Sequence, residues 1–294
     1  MDLLSPTVDA VRASARRLSP RRIRRQAAIL AANRSRLAAV ILLGLTGGIL
    51  AMVLVTRGPA SGSDALAYWH GARTWLAGGN PYQPTGDWLP WVYAPWLLPA
   101  FVPWSLLPWD LAWPIWRTST ILLMLVTWRW AYRRRPLATA VALAVLSVPI
   151  GIALDTGNIV LLCAVAVWAA QFADSALGGL LWGLATATKW FPLGLWPILP
   201  RRAGAWGIVF AAVAVLLSLA TWPWTVQQIA DVRATGIPHA TSLPGLRLDH
   251  LSILWAAIPF AWLTGLPWLE ARWRRIRERA GYAMQRRTVD PDRG

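Results

Sequence analysis

This 294-residue chain is poor in cysteine, lysine, histidine and acid. Its one cysteine, Cys163, lies in an apolar stretch, which excludes an internal disulfide framework and a cysteine metal site. The three histidines, His70, His239 and His250, show no recognised metal-ligand spacing. They could be imagined with the outer aspartates as a metal site, but interface hydrogen bonding is the simpler role, and no cofactor or metal is expected. Asp plus Glu total 13 against 29 Lys plus Arg, a net charge of +16, and Lys189 is the one lysine among those 29. Alternating apolar and polar residues are also absent, and the apolar windows are too long for strands, which excludes a membrane β-barrel.

Apolar length is what the chain has instead. Hydrophobic residues make up 56% and charged residues 14%. Windows approaching the roughly 20 residues that cross a bilayer occur at 37–56, 111–132, 137–154, 158–172, 205–222 and 251–269. The stretch 176–199 is long enough for one span or for two half-spans meeting near Lys189 and Pro192. The fold class expected is an all-α polytopic membrane protein. The first apolar run follows a long basic leader and precedes many others, so it reads as a signal anchor rather than a cleaved signal.

In a soluble protein the net charge would suggest nucleic acid, but no nucleic-acid-binding module is recognised and none is expected as a partner. The arginines cluster instead at the ends. Nine lie between Arg12 and Arg36, before the first span, and eight between Arg272 and Arg293, after the last. This is the positive-inside pattern, with attraction to anionic membrane lipids as a further consequence. Residues 1–36 and 270–294 are accordingly expected as cytoplasmic basic segments flanking a transmembrane domain over 37–269, in the cell membrane.

Keeping Arg133, Arg134 and Arg135 cytoplasmic requires the proline-interrupted stretch 92–107 to lie at the outer interface as broken helix. Keeping Arg201 and Arg202 cytoplasmic requires 176–199 to be a broken hairpin, which Pro192, Gly194 and Pro197 favour. About eight crossings result. Asp64, Asp87, Asp155, Asp231 and Asp249 then fall on the outer side, as do the three histidines, and Lys189 approaches it. Nine of the 22 tryptophans lie between Trp69 and Trp116, where indoles suit the membrane–water interface and a few can stack on sugars.

Lys189 has two readings: a ligand for an anion such as a lipid phosphate, or a side chain snorkelling to the headgroups. Asp64, just beyond the first span, is a candidate base or a solvated loop aspartate. Asp87 and Asp155 are second choices for a catalytic or orienting role. Arg73 and Arg247 can contact a phosphate or lie exposed against headgroups. Tyr82 and Tyr93 either shape the first loop or touch substrate, while Gly78, Gly79 and Pro81 shape its turn.

Taken in order, these motifs resemble glycosyltransferase family 87, membrane glycosyltransferases of the GT-C type. The elements are Asp64, Tyr68, Gly78-Gly79-Asn80-Pro81-Tyr82 and Tyr93-Ala94-Pro95-Trp96. Then come Gly157-Asn158-Ile159-Val160, the stretch from Gly183 to Pro192 that includes Lys189, and Ser242-Leu243-Pro244-Gly245. The family's G-Q-x-N element is incomplete here, since the glutamine and second asparagine are missing.

The resemblance implies a GT-C-like bundle with interfacial helices in an outer loop. It also implies inverting transfer of a sugar, typically mannose, from a polyprenyl-phosphate donor to a lipid-linked or glycan acceptor. Asp64 would be the base and Lys189 the phosphate ligand. Arg73, Asn80, Tyr82, Tyr93, Arg247 and His239 would contact substrate, His239 or His250 through the acceptor sugar. The chain is short for the family, which leaves open a non-catalytic subunit with a membrane-protein partner. A lipid-linked-sugar flippase is a further alternative that broken helices would suit, although no inverted repeat relates the halves.

Overall fold

The computed structural model describes residues 20–57, 61–83, 89–221, 223–224, 226, 230 and 248–289. Helices dominate, and no strand occurs among the described residues. In order they are α1 (Pro20–Arg57), α2 (Ser63–Leu76), α3 (Leu98–Ser105), α4 (Trp109–Arg134), α5 (Pro136–Thr156), α6 (Val160–Ala170), α7 (Ala176–Thr188) and α8 (Arg201–Ala220). A 3-10 run at Leu248–Ala257, one α-turn at Ile258–Phe260 and a π-turn at Ala261–Gly265 lead into α9 (Leu266–Val289).

Among the described residues, four stretches are long and apolar enough to cross a membrane: Ile29–Thr56, Pro136–Thr156, Arg201–Ala220 and Leu248–Ile276. Such segments adopt helix because a bilayer offers the backbone no other hydrogen-bond partners. The window expected at 111–132 is helical, yet Arg117, Arg129 and its tryptophans and threonines keep α4 out of that set. The window at 158–172 yields an α6 of 11 residues. At 1.5 Å per residue that helix covers only about half the hydrocarbon thickness.

The chain shuttles between two ends of one bundle. At one end, Trp116 donates its indole N–H to the Gly157 carbonyl (3.0 Å) and Gly62 N–H meets the Asp155 carbonyl (2.7 Å). At the other end, Trp130 packs on Trp168 and Phe172, Arg135 pairs with Glu270 (2.7 Å), and Arg202 N–H donates to Asp174 (2.9 Å). The stretch 176–199 does break. After α7, Lys189 is extended (φ −135°, ψ 131°), and a 3-10 helix at Phe191–Ile198 leads back to Arg201 and Arg202, on the end that holds Asp174. The stretch 92–107 is likewise broken, a 3-10 turn at Pro95–Leu97 followed by the short α3, which packs on α2.

The core holds Met124, Ile150, Val160, Leu161, Val167, Trp182 and Trp255, all fully buried. Two devices tie it together. Buried indoles find threonine partners: Trp255 donates to Thr127 (2.9 Å) and Trp262 to Thr139 (3.2 Å). In addition, the Gln171 carboxamide inserts into the ladder of the final segment. It donates to the Ala256 carbonyl (2.6 Å) and accepts from Phe260 N–H (3.0 Å), two groups that a regular helix would pair with each other. This satisfies the backbone where 3-10, α and π geometry follow one another, an irregular run where a uniform span is expected at 251–269.

Helices α7 and α8 approach backbone to backbone through glycine. A Cβ on Gly179 would lie 2.4 Å from the Trp206 Cβ and 2.6 Å from the Gly207 nitrogen. Small residues at such crossings allow close packing, which drives helix association in lipid. Gly179→Val must separate the two backbones. It is expected to cost about 2–3 kcal/mol and to lower the thermal unfolding midpoint of the detergent-solubilised protein. An unchanged midpoint would contradict this packing.

Candidate active site

Helix α2 carries Asp64 and Tyr68 one turn apart, so both point the same way. That face is buried; Asp64 is 7% exposed. The opposite turn meets it from the junction of α5 and α6. There Gly157 is in the left-handed region (φ +70°), and a Cβ on it would lie 2.7 Å from both the Ala65 Cβ and the Trp113 ring. Only glycine suits this position, for conformation and for space alike. The turn presents Asn158, 3% exposed, whose own Oδ1 accepts from Val160 N–H (3.0 Å). That bond orients the amide, leaving both N–H groups aimed outward. One donates to Asp64 Oδ2 and the other to Asp249 Oδ2, each at 2.8 Å.

A single amide thus holds two buried carboxylates from segments far apart in sequence. Next to Asp249, His250 packs at a tilt against Phe191 (ring centroids 5.1 Å apart), two residues beyond Lys189. Lys189 lies over the Tyr93 ring, 5.0 Å from its centroid, and within electrostatic reach of Asp64. The hydroxyls of Tyr93 and Tyr68 are 3.0 Å apart, and Tyr68 accepts from Ile159 N–H (3.3 Å). Burial first, then the neighbouring Tyr93 and Asp64, push the Tyr68 phenol well above its ordinary value, so it stays protonated. Asp64, Tyr68, Tyr93 and Lys189 therefore line one continuous polar seam at one end of the bundle.

The first loop supports this seam from behind. The Asn80 side chain accepts from Tyr82 N–H (3.0 Å), closing an Asx turn beside Gly78 (φ +78°). Tyr82 is fully buried and donates to the Tyr93 carbonyl (3.0 Å), while Trp91 N–H meets the Pro81 carbonyl (2.9 Å). Burial raises the Tyr82 phenol, which keeps it a donor. Of the two readings for Tyr82, the loop-shaping one fits this geometry. Asn80 also borders a cavity of about 320 Å³ together with Gly78, Gly79, Pro223 and Trp224.

Arg73 sits elsewhere. It lies on another face of α2, exposed, over the Trp69 ring (4.6 Å) and reaching the Ser105 carbonyl (3.3 Å). Neighbouring His70 is pulled below its ordinary value by partial burial and by Arg73. Asp155 is buried beside Arg117, which itself bonds the Leu54 carbonyl (3.1 Å) at the end of α1. Asp87, Asp231, His239, Ser242–Gly245 and Arg247 lie outside the described residues. No cluster of three or more His, Cys, Asp or Glu suited to a metal occurs among the described residues.

The profile of glycosyltransferase family 87 matches residues 91–287. The chain belongs to glycosyltransferase family 87. No curated protein and no solved structure matches it. The family match takes in Tyr93, Asn158, Lys189 and Asp249. Asp64 precedes it and joins those residues through the Asn158 amide. Membership makes this chain a glycosyltransferase, and its apolar helices fit a membrane protein.

Asp249 and Asn158 were not selectable as site residues by spacing. Asp249 is one of several outer aspartates in the sequence, and Asn158 is the remnant of an incomplete motif. The available signal was Gly157, the left-handed turn just before the asparagine. Asn158→Leu keeps the side-chain size and removes both donors. It is expected to destabilise the protein by about 2–3 kcal/mol, since two buried carboxylates lose a partner each. Thermal unfolding of the purified variant checks this, and a wild-type midpoint would contradict it.

Proposed function

We infer that this protein is an inverting GT-C-type transferase that moves a sugar, mannose by family resemblance, from a polyprenyl-phosphate donor to a lipid-linked or glycan acceptor. The reading places the Asp64 end outside the cell membrane, with both termini cytoplasmic and about eight passes between the two ends. The arginines support this orientation, because Arg133, Arg134, Arg135, Arg201 and Arg202 gather at the end opposite Asp64.

The observation that carries the reading is the convergence of Asp64 and Lys189 on one polar seam, from segments 125 positions apart in sequence. In the proposed reaction the acceptor hydroxyl oxygen attacks the anomeric carbon as its bond to the phosphate oxygen breaks. Asp64 takes the hydroxyl proton. Polyprenyl phosphate leaves with the bonding electron pair, and Lys189 stabilises the charge that develops on it. Asn158 is a positioning residue, aiming the Asp64 carboxylate through Oδ2 so that the other oxygen faces substrate. Asp249, held by the same amide, is suited to accept hydrogen bonds from sugar hydroxyls. Asn80, Tyr82 and Tyr93 shape the wall behind the seam. Arg73, Arg247 and His239 are proposed contacts at the rim.

Purified protein supplied with a polyprenyl-phosphate sugar and a membrane acceptor extract is expected to release polyprenyl phosphate. Asp64→Asn should lower that rate by about 10²–10⁴-fold, the usual contribution of a general base, without shifting the unfolding midpoint by more than a few degrees. Lys189→Ala should lower it by about 10²–10³-fold, as for loss of a preorganised charge. Wild-type protein that is inert alone but restores a second transferase would contradict the proposal and favour a subunit role.

A further inference from the structure

A separate cavity lies away from this seam. Helices α1, α4 and α5 enclose a cavity of about 430 Å³ whose lining includes Leu43, Gly47, Leu50, Trp128, Arg129 and Tyr132. Its lining is mostly apolar, with Thr46, Thr139, Tyr132 and the exposed side chain of Arg129 as its polar members. The Arg129 guanidinium and the Tyr132 hydroxyl have no hydrogen bond or ion pair among the described residues. The Trp128 indole N–H is buried without an acceptor. Arg129 is exposed beside this apolar cavity, and a cation at membrane depth is favoured by an anionic partner. Of the nearby arginines, Arg134 rests on Trp130, Arg135 pairs with Glu270 and Arg117 bonds the Leu54 carbonyl, while Arg133 is exposed at the helix end.

The location separates this cavity from the transferase seam. Trp116 marks the seam end of α4 through its bond to Gly157. Arg129 follows thirteen residues later, about 20 Å along the helix. A phosphate held there lies in the opposite half of the membrane from one held by Lys189. It lies near the arginine-rich end, where anionic headgroups are favoured.

We propose that this cavity is a binding site for an anionic glycerophospholipid, its phosphate on Arg129 and Tyr132 and one acyl chain against Leu43, Gly47 and Leu50. Gly47 has open space beside it: a Cβ there would meet nothing within 4 Å. A larger side chain at 47 therefore fills the cavity without straining the helix. The site owes nothing to the transferase assignment and stands or falls separately from it.

Native mass spectrometry of the full-length protein in detergent, titrated with lipid, tests the proposal. Phosphatidylglycerol is expected to be retained at least tenfold more tightly than phosphatidylcholine of the same acyl chains. Arg129→Gln should abolish that preference, Arg129→Lys should keep part of it, and Gly47→Leu should weaken both lipids. Equal retention of the two lipids by wild type, or an undiminished preference in Arg129→Gln, would overturn the proposal. So would stronger retention of polyprenyl phosphate, which would make the cavity a donor path. Competition by inorganic phosphate alone at millimolar levels would also overturn it, by showing that the acyl chain plays no part.

Discussion

The Asn158 amide, shared between Asp64 and Asp249, is the interaction on which the rest of the site depends. Two carboxylates buried near each other repel, and each would lose its hydration without replacement. Donation of both N–H groups from one oriented amide answers both costs with a single side chain. It also ties three parts of the chain together: the helix after the first span, the turn between α5 and α6, and the start of the final segment. Gly157 makes the arrangement possible, since any side chain there would strike Ala65 and Trp113 and push the turn away from α2.

Around this anchor the fold uses broken helices to bring polar groups to one end. Lys189 reaches the seam because α7 stops at Thr188 and the chain returns as a 3-10 helix instead of continuing across. The free backbone groups at such breaks are satisfied by side chains. Trp182 donates to the Pro192 carbonyl (2.9 Å) and Gln171 bridges Ala256 and Phe260. The same logic governs the first loop, where Asn80 and Tyr82 satisfy the turn that backs Tyr93. Much of the Gly78–Tyr82 motif in this loop therefore serves its shape.

Much of this was legible in the sequence, for physical reasons. Helix was readable because long apolar runs without alternation have no other way to satisfy their backbone in lipid. The break near Lys189 was readable because Pro192 and Pro197 interrupt the ladder and Arg201 must return to the basic end. The family was readable from the order of short motifs, and the profile match over 91–287 supports it. Other features were not legible. Nothing in spacing distinguishes Asp249 from Asp155, because the first is selected by Asn158 and the second lies beside Arg117, through contacts made only in the folded bundle. The sequence left Arg73 as either a helper at the phosphate or an exposed arginine, and only the fold shows it over Trp69 and against the Ser105 carbonyl. The short α6 and the mixed helical geometry after Leu248 were also hidden, since hydropathy reports burial in lipid and not helix type.

A structure of the protein with a polyprenyl-phosphate sugar bound tests the central claim most directly. The account predicts the phosphate against the Lys189 ammonium and the anomeric carbon facing Asp64, with the Asn158 amide still joining Asp64 to Asp249. A donor phosphate seated away from Lys189, or an anomeric carbon shielded from Asp64 by intervening protein, would contradict it.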